Sequence, residues 1–80
     1  MKLRVYSLRK VLYEGSARSL NLKTDMGEIT ILDKHIPLIA SLKAGNMKIL
    51  DNEEKIRNIY VSSGFLEVKP HSEVTVLAEE

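Results

Sequence analysis

The side chains that could carry out chemistry in this sequence are two histidines and a serine pair. His35 and His71 could bind a metal ion, but they are far apart and neither has a second ligand at the spacing of zinc sites. Ser62-Ser63-Gly64 could present a nucleophile, yet it lacks the strand–turn–helix pattern of a nucleophile elbow. Solvent-exposed loop histidines and a simple turn are the favoured interpretations, so the residues predict no catalytic site and no bound metal or cofactor.

The composition excludes several other functions. Lys and Arg number 12 against 11 Asp and Glu, and the four aromatic residues form no stacking platform, so nucleic acid is not expected as a partner. No glycine-rich phosphate loop is present. Cysteine is absent, which excludes disulfides and thiolate metal sites. No apolar run approaches the ~20 residues of a membrane helix, so membrane association would have to come through a partner.

Alternation of apolar and polar residues recurs along the whole chain and predicts many short β-strands. The alternating runs are LRVYS, VLYEG, ARSLNLK, EITIL, PLIASL, MKIL, IRNIYV, FLEV and EVTVLA. We interpret the glycines at 15, 27, 45 and 64 as points between strands where the backbone needs a positive φ or a tight reversal, and DNEE as a hairpin tip. Windows with helical spacing are under ten residues long. The pattern predicts one domain, residues 1–80, built as an antiparallel sandwich or barrel.

The stretch GEITILDKHIPLIA, residues 27–40, resembles the signature of the epsilon subunit of F-type ATP synthases, which is close to GE-[IL]-x-IL-P-x-HAPLI. LKAG, IYVSSGFLEVKP, VTVLAEE and VLYEGSARSL resemble further motifs of that family, in the same order along the chain. The resemblance covers essentially the whole sequence. It implies an all-β fold, a two-layer antiparallel β-sandwich of short strands.

The sequence departs from the family pattern at four positions within these motifs. Asp33 and Ala44 replace prolines, Ile36 replaces an alanine, and Ser63 replaces the first glycine of SGG. Family members commonly continue with two helices after the VTVLAD-type strand, whereas this sequence ends at Glu80. Because those helices carry inhibition and, in some members, ATP binding, the expectation is coupling without regulation and no nucleotide binding.

The resemblance implies a non-catalytic rotor subunit of the central stalk. Such a subunit braces the gamma subunit against the c-ring, so that proton or sodium flow is coupled to ATP synthesis. Its expected location is peripheral, at the cytoplasmic face of the bacterial inner membrane or the organellar equivalent, and the isolated chain is expected to be a monomer. The alternative is a stand-alone β-sandwich adaptor that binds another protein, and a small hydrolase using Ser63 and a histidine is a third, weaker reading.

The candidate contacts with gamma and the c-ring lie in and beside the interrupted stretch. They are Glu28, Asp33, Lys34, His35, Ile36, Pro37 and Leu38. The family places an acidic residue facing the c-ring loops at the position of Glu28; the alternative is an ordinary solvent-facing strand residue. Pro37 removes a backbone donor and restricts Ile36 to extended conformations, which fixes the exit of the loop.

The apolar residues around this loop have two interpretations. Ile36, Leu38 and Ile39 either anchor the loop to the core or form a docking patch, and the small core of such a domain favours anchoring. Phe65 begins the most apolar late strand and is expected to be buried.

Overall fold

A computed structural model describes residues 1–79, and strands account for all of its regular secondary structure. There are eight: β1 Lys2–Tyr6, β2 Val11–Thr24, β3 Gly27–Leu32, β4 Leu38–Leu42, β5 Gly45–Asp51, β6 Ile56–Val61, β7 Ser63–Lys69 and β8 Glu73–Glu79. Within residues 1–79 there is accordingly no helix that could cross a lipid bilayer.

The strands form two packed layers that share the long strand β2. The N-terminal half of β2 pairs with β1, and the layer continues through β8 and β7 to β4. The C-terminal half of β2 lies between β3 and β5, and β6 completes the second layer. All pairings are antiparallel except that of β1 with β8. The predicted two-layer antiparallel sandwich is therefore confirmed, with one parallel pair that the sequence did not predict.

Alternating residues of the strands fill the space between the two layers, as the period of a β-strand requires. The buried cluster consists of Leu3, Val5, Ala17, Leu20, Leu22, Ile31, Leu42, Met47, Ile49, Val61, Leu66, Val68, Val74, Val76 and Ala78. The one buried polar side chain among the described residues is Thr24, whose hydroxyl donates to the Gly27 carbonyl oxygen at 2.8 Å and accepts from the Met26 N–H at 3.1 Å. The core therefore holds no uncompensated polar group at this turn.

Two of the predicted glycine turns lie inside strands instead. Gly15 is in the middle of β2, so VLYEG and ARSLNLK form one strand, and Gly64 is the second residue of β7. At Gly64 the backbone has φ of +146°, and a Cβ there would collide with the carbonyl oxygen of Leu77 on β8. Glycine is required at this position because β7 and β8 approach too closely for any side chain.

The expected burial of Phe65 is wrong, since its side chain is 59% exposed. Phe65 has the same orientation as Glu67, two residues later, and both point out of the sandwich. Leu66 and Val68 point inward and fill the core in their place.

The predicted hairpin tip after β5 is confirmed. Asp51 closes it, because its Oδ1 accepts from the backbone N–H groups of Glu53 and Lys55, both at 2.9 Å. The hydrogen bond from Lys55 is the main reason that the pKa of Asp51 lies below its usual range, although partial burial opposes the shift. Glu54 follows with φ of +64°. The Asp51 carboxylate thus accepts the hydrogen bonds that hold the turn together.

Candidate partner-binding surface

The candidate contact residues lie along one edge of the sandwich, but the structure does not bring all of them together. Within residues 1–79, β3 pairs only with β2 and so forms the edge of its layer. Residues 33–37 form the loop that follows β3, and Leu38 begins β4. Glu28 lies five residues before Asp33, about 16 Å away along the strand. The candidates are therefore one compact loop and a separate carboxylate at the other end of β3.

Glu28 is exposed on the outer face of its layer, directly across from Lys23 on β2. Its Oε2 accepts a hydrogen bond of 3.2 Å from Nδ2 of Asn21, which also donates to Oγ1 of Thr30 at 2.9 Å. The amide thus orients the carboxylate and leaves it accessible from solvent. Both interpretations of Glu28, a partner contact and a solvent-facing strand residue, agree with this position.

Asp33 ties the loop to the first residue of the chain. Its carboxylate pairs with the ammonium group of Met1 at 2.5 Å, and this hydrogen-bonded partner is the main reason that the pKa of Asp33 is lowered. The same ammonium group donates to the carbonyl oxygen of Ala17 at 2.9 Å. The loop is thereby anchored where β1 begins.

Lys34 and His35 form a tight turn within the loop. Lys34 has φ of +61°, and its N–H donates to Oγ of Ser72 at 2.9 Å. The N–H of His35 donates to the carbonyl oxygen of Leu32 at 3.2 Å, and its ring Nδ1 lies 2.7 Å from the carbonyl oxygen of Ile36. Because a carbonyl only accepts, Nδ1 is the donor in this contact. The hydrogen bonds of His35 thus help to fix the conformation of its own loop.

The anchoring interpretation is correct for one of the three apolar residues and wrong for two. Leu38 is half-buried and packs against the core. Ile36 and Ile39 are 74% and 72% exposed. Leu38 and Ala40 take the inward positions of β4, so alternation directs Ile39 outward, and Ile36 lies in the loop before the strand. These two isoleucines fit the docking-patch alternative.

A shallow groove of about 390 Å³ borders the loop. Pro37, Ile39 and Glu67 contribute to its lining, and so does Pro70 from the turn between β7 and β8. His71 and Ser72 in that turn have φ of +66° and +57°. Sequence reasoning missed the contribution of this turn, because nothing local in the sequence indicates that residues 70–72 lie against residues 33–37.

A second exposed surface lies at the opposite end of the sandwich and is apolar. Leu8, which is 88% exposed, lies with Phe65 and Leu77 around a groove of about 340 Å³. Gly64 and Leu42 complete its floor. Ser41, Ser63, Ala78 and Glu79 complete the lining, and we refer to this surface as the apolar groove.

The serine and the histidines that could have formed a nucleophilic site are far apart. Ser63 lies at the start of β7 and its Oγ donates to Oε2 of Glu79 at 2.7 Å. His71 lies beyond the other end of the same strand, about 20 Å away by the rise of a strand. His35 lies in the loop after β3, which is at the same end of the sandwich as His71. The geometry gives Ser63 a carboxylate neighbour in place of a histidine.

Comparison with known proteins agrees with the sequence motifs. The chain matches the family model described as the beta-sandwich domain of the ATP synthase Delta/Epsilon chain over residues 1–80. It is 46% identical to the ATP synthase epsilon chain of Psychrobacter cryohalolentis, over 99% of this chain and 56% of the relative. It is 41% identical to that of Bordetella parapertussis, over 94% of this chain and 53% of the relative. The chain thus spans about half the length of the curated relatives it matches.

Solved structures show the same fold. A chain in the structure of the Euglena gracilis mitochondrial ATP synthase, OSCP/F1/c-ring in rotational state 1, superposes with a TM-score of 0.94 at 18% identity, covering all of this chain and 51% of that one. A chain in the central stalk/c-ring structure of the Tetrahymena thermophila mitochondrial ATP synthase superposes with a TM-score of 0.84 at 15% identity, covering all of this chain and 63% of that one. At these identities the likeness concerns the fold.

Proposed function

Because the chain belongs to the family of ATP synthase delta/epsilon β-sandwich domains, we propose that it is a non-catalytic subunit of the rotor in an F-type ATP synthase. In this role it binds the gamma subunit and the c-ring and braces one against the other, so that ion flow through the ring drives ATP synthesis at catalytic sites on other subunits. It is a peripheral part of a membrane-bound complex.

The observation that carries this proposal is the agreement of a whole-chain family match with two exposed surfaces of different chemistry. A brace between two partners needs two separate contact surfaces. The β3 edge and its loop offer a carboxylate at Glu28, an ammonium group at Lys34 and two exposed isoleucines. The apolar groove lies at the end of the sandwich away from the loop, which is also the end of β3 that carries Glu28. This arrangement supports a role with two interfaces and no reaction centre.

We assign the apolar groove to gamma and the β3 edge with its loop to the c-ring. Partners that remain together permanently meet through more apolar surfaces than partners in transient contact, and the apolar groove exposes Leu8, Phe65 and Leu77 side by side. The β3 edge instead presents polar groups and a row of backbone groups that no other described strand covers. The polar loops of a c-ring could form hydrogen bonds with these exposed groups.

Native complexes recovered with a tagged copy of the chain provide the test. The rotor assignment requires gamma and c subunits to be recovered together with the chain. Recovery of a different protein without them would favour the adaptor alternative and contradict the proposal.

The substitution Glu28→Lys should weaken assembly onto the c-ring while leaving folding nearly unchanged. An exposed strand carboxylate changes stability by within ~0.5 kcal/mol, whereas charge reversal at an interface introduces repulsion or removes a favourable pair. Assembly is measured by the amount of c-ring recovered with the chain, and folding by the melting temperature.

The matched control is Glu53→Lys, which makes the same charge change in the exposed β5–β6 turn, on the side of the layer away from β3. It should assemble like the unmodified chain. If both variants assemble equally well, Glu28 is an ordinary solvent-facing residue and the assignment of the β3 edge is wrong.

A further inference from the structure

Ser72 connects three parts of the chain that are distant in sequence. Its Oγ accepts the hydrogen bond from the N–H of Lys34, at 2.9 Å. Its carbonyl oxygen accepts from the N–H of Lys2 at 2.8 Å. One residue of the β7–β8 turn therefore holds both the loop after β3 and the start of β1.

The two turns that Ser72 joins contain most of the strained backbone in the described part of the chain. Four residues other than glycine have positive φ within residues 1–79, and three of them are Lys34, His71 and Ser72. Glycine adopts such conformations more readily than serine does. The backbone conformation at position 72 therefore does not favour serine over glycine. What serine adds is a hydroxyl oxygen that can accept a hydrogen bond, which glycine lacks.

The loop and the turn also form one continuous surface. Pro37 of the loop and Pro70 of the turn line the same groove, together with Ile39. The side chains of Lys34 and His71 are exposed. A partner that contacts the loop would thus meet the turn as well.

We propose that residues 33–37 and 70–72 form a single contact surface for a polar segment of the ring, and that Ser72 is the residue that positions the loop within it. The identity of the partner rests on the proposed function; the positioning by Ser72 rests on the hydrogen bonds alone. Preorganisation of this kind favours binding because the loop loses less conformational freedom when the partner arrives.

The positioning is tested without any partner by amide hydrogen exchange measured by NMR. Ser72→Gly accommodates the positive φ but removes the acceptor, so the N–H of Lys34 should exchange about tenfold faster, as expected for the loss of one hydrogen bond. The melting temperature should change little, because the relief of backbone strain by glycine offsets the cost of the lost hydrogen bond. Ser72→Asn keeps both an acceptor and a tolerance for positive φ, and should restore slow exchange. Unchanged exchange of Lys34 in Ser72→Gly would overturn the positioning role.

The contact surface is tested by binding to the detergent-purified c-ring encoded in the same genome. Ser72→Gly should bind about fivefold to tenfold more weakly, and Ser72→Asn should bind like the unmodified chain. Glu54→Gly is the matched control, since it relieves a positive φ of +64° in the β5–β6 turn and leaves the acceptor of the Lys34 N–H in place, so it should leave binding unchanged.

The outcomes separate the two proposals. If the unmodified chain does not bind the ring, the proposed function fails while the exchange result still decides the role of Ser72. If the unmodified chain and Ser72→Gly bind equally well, the c-ring assignment survives and the shared contact surface is refuted.

Discussion

The two ends of the sandwich are built in different ways. The loop end, with the turns at residues 33–37, 52–55 and 70–72, is held by hydrogen bonds and ion pairs such as those of Asp33 and Ser72. The groove end, around Gly64 and Phe65, depends on close backbone approach and exposes apolar side chains. The groove end also has side-chain hydrogen bonds, such as that of Ser63 with Glu79, but the close approach of β7 to β8 is the feature that distinguishes it from the loop end.

The largest effect should come from disturbing the steric fit. Gly64→Ala adds a Cβ that would collide with the Leu77 carbonyl oxygen, and it also strains a backbone with φ of +146°. The expected loss is about 4 kcal/mol or more in the free energy of unfolding, which would leave little of the stability of so small a domain. Chemical denaturation is the measurement.

Gly27→Ala provides the comparison, because Gly27 has φ of +115° but no atom lies within 4 Å of the added Cβ. Only strain is then expected, about 1–3 kcal/mol. Equal losses for the two variants would show that crowding against β8 contributes nothing and that strain alone requires Gly64.

A second difference should appear between two neighbouring residues of β7. Leu66 is fully buried and Phe65 is 59% exposed. Leu66→Ala should cost about 2–5 kcal/mol, whereas Phe65→Ala should cost roughly 1 kcal/mol or less. Thermal melts of the two variants test this difference. A loss at Phe65 as large as that at Leu66 would contradict the assignment of Phe65 to an exposed binding surface.

The smallest expected effect is on how the melting temperature depends on pH in acid, and it should arise at the loop end. The pKa of Asp51 is lowered by the hydrogen bond from Lys55, so its carboxylate stabilises the folded chain above its ordinary pKa of about 3.9. That contribution is lost as the pH falls through the lower folded pKa. Asp51→Asn should therefore lower the melting temperature at neutral pH and reduce its dependence on pH below about 4. An identical acid dependence in both proteins would show that Asp51 does not contribute.

Local pattern was sufficient to predict most of the strands. The runs EITIL and EVTVLA, for example, coincide with β3 and β8 because each has one buried face. The error at Phe65 could have been avoided: Glu67 lies two residues later on the same face, which indicates an outward position for both. The exposure of Ile39 follows from the same alternation once Leu38 is known to point inward.

The remaining features depend on contacts between distant residues. No local signal in KPHSE predicts that Ser72 accepts a hydrogen bond from Lys34. The burial of Leu38 against the core and the exposure of Ile36 likewise depend on how the loop crosses between the layers. The candidate site was thus found through the family motif, whereas its geometry and its second turn required the structure.

The parallel pairing of β1 with β8 has a consequence for synthesis on the ribosome. Residues from Lys2 to Tyr6 align with residues from Glu73 to Leu77, so β1 cannot complete its pairing until β8 has been made. Until then Leu3 and Val5 lack neighbours that they have in the folded chain. The sandwich therefore cannot close during synthesis until β8 has left the exit tunnel.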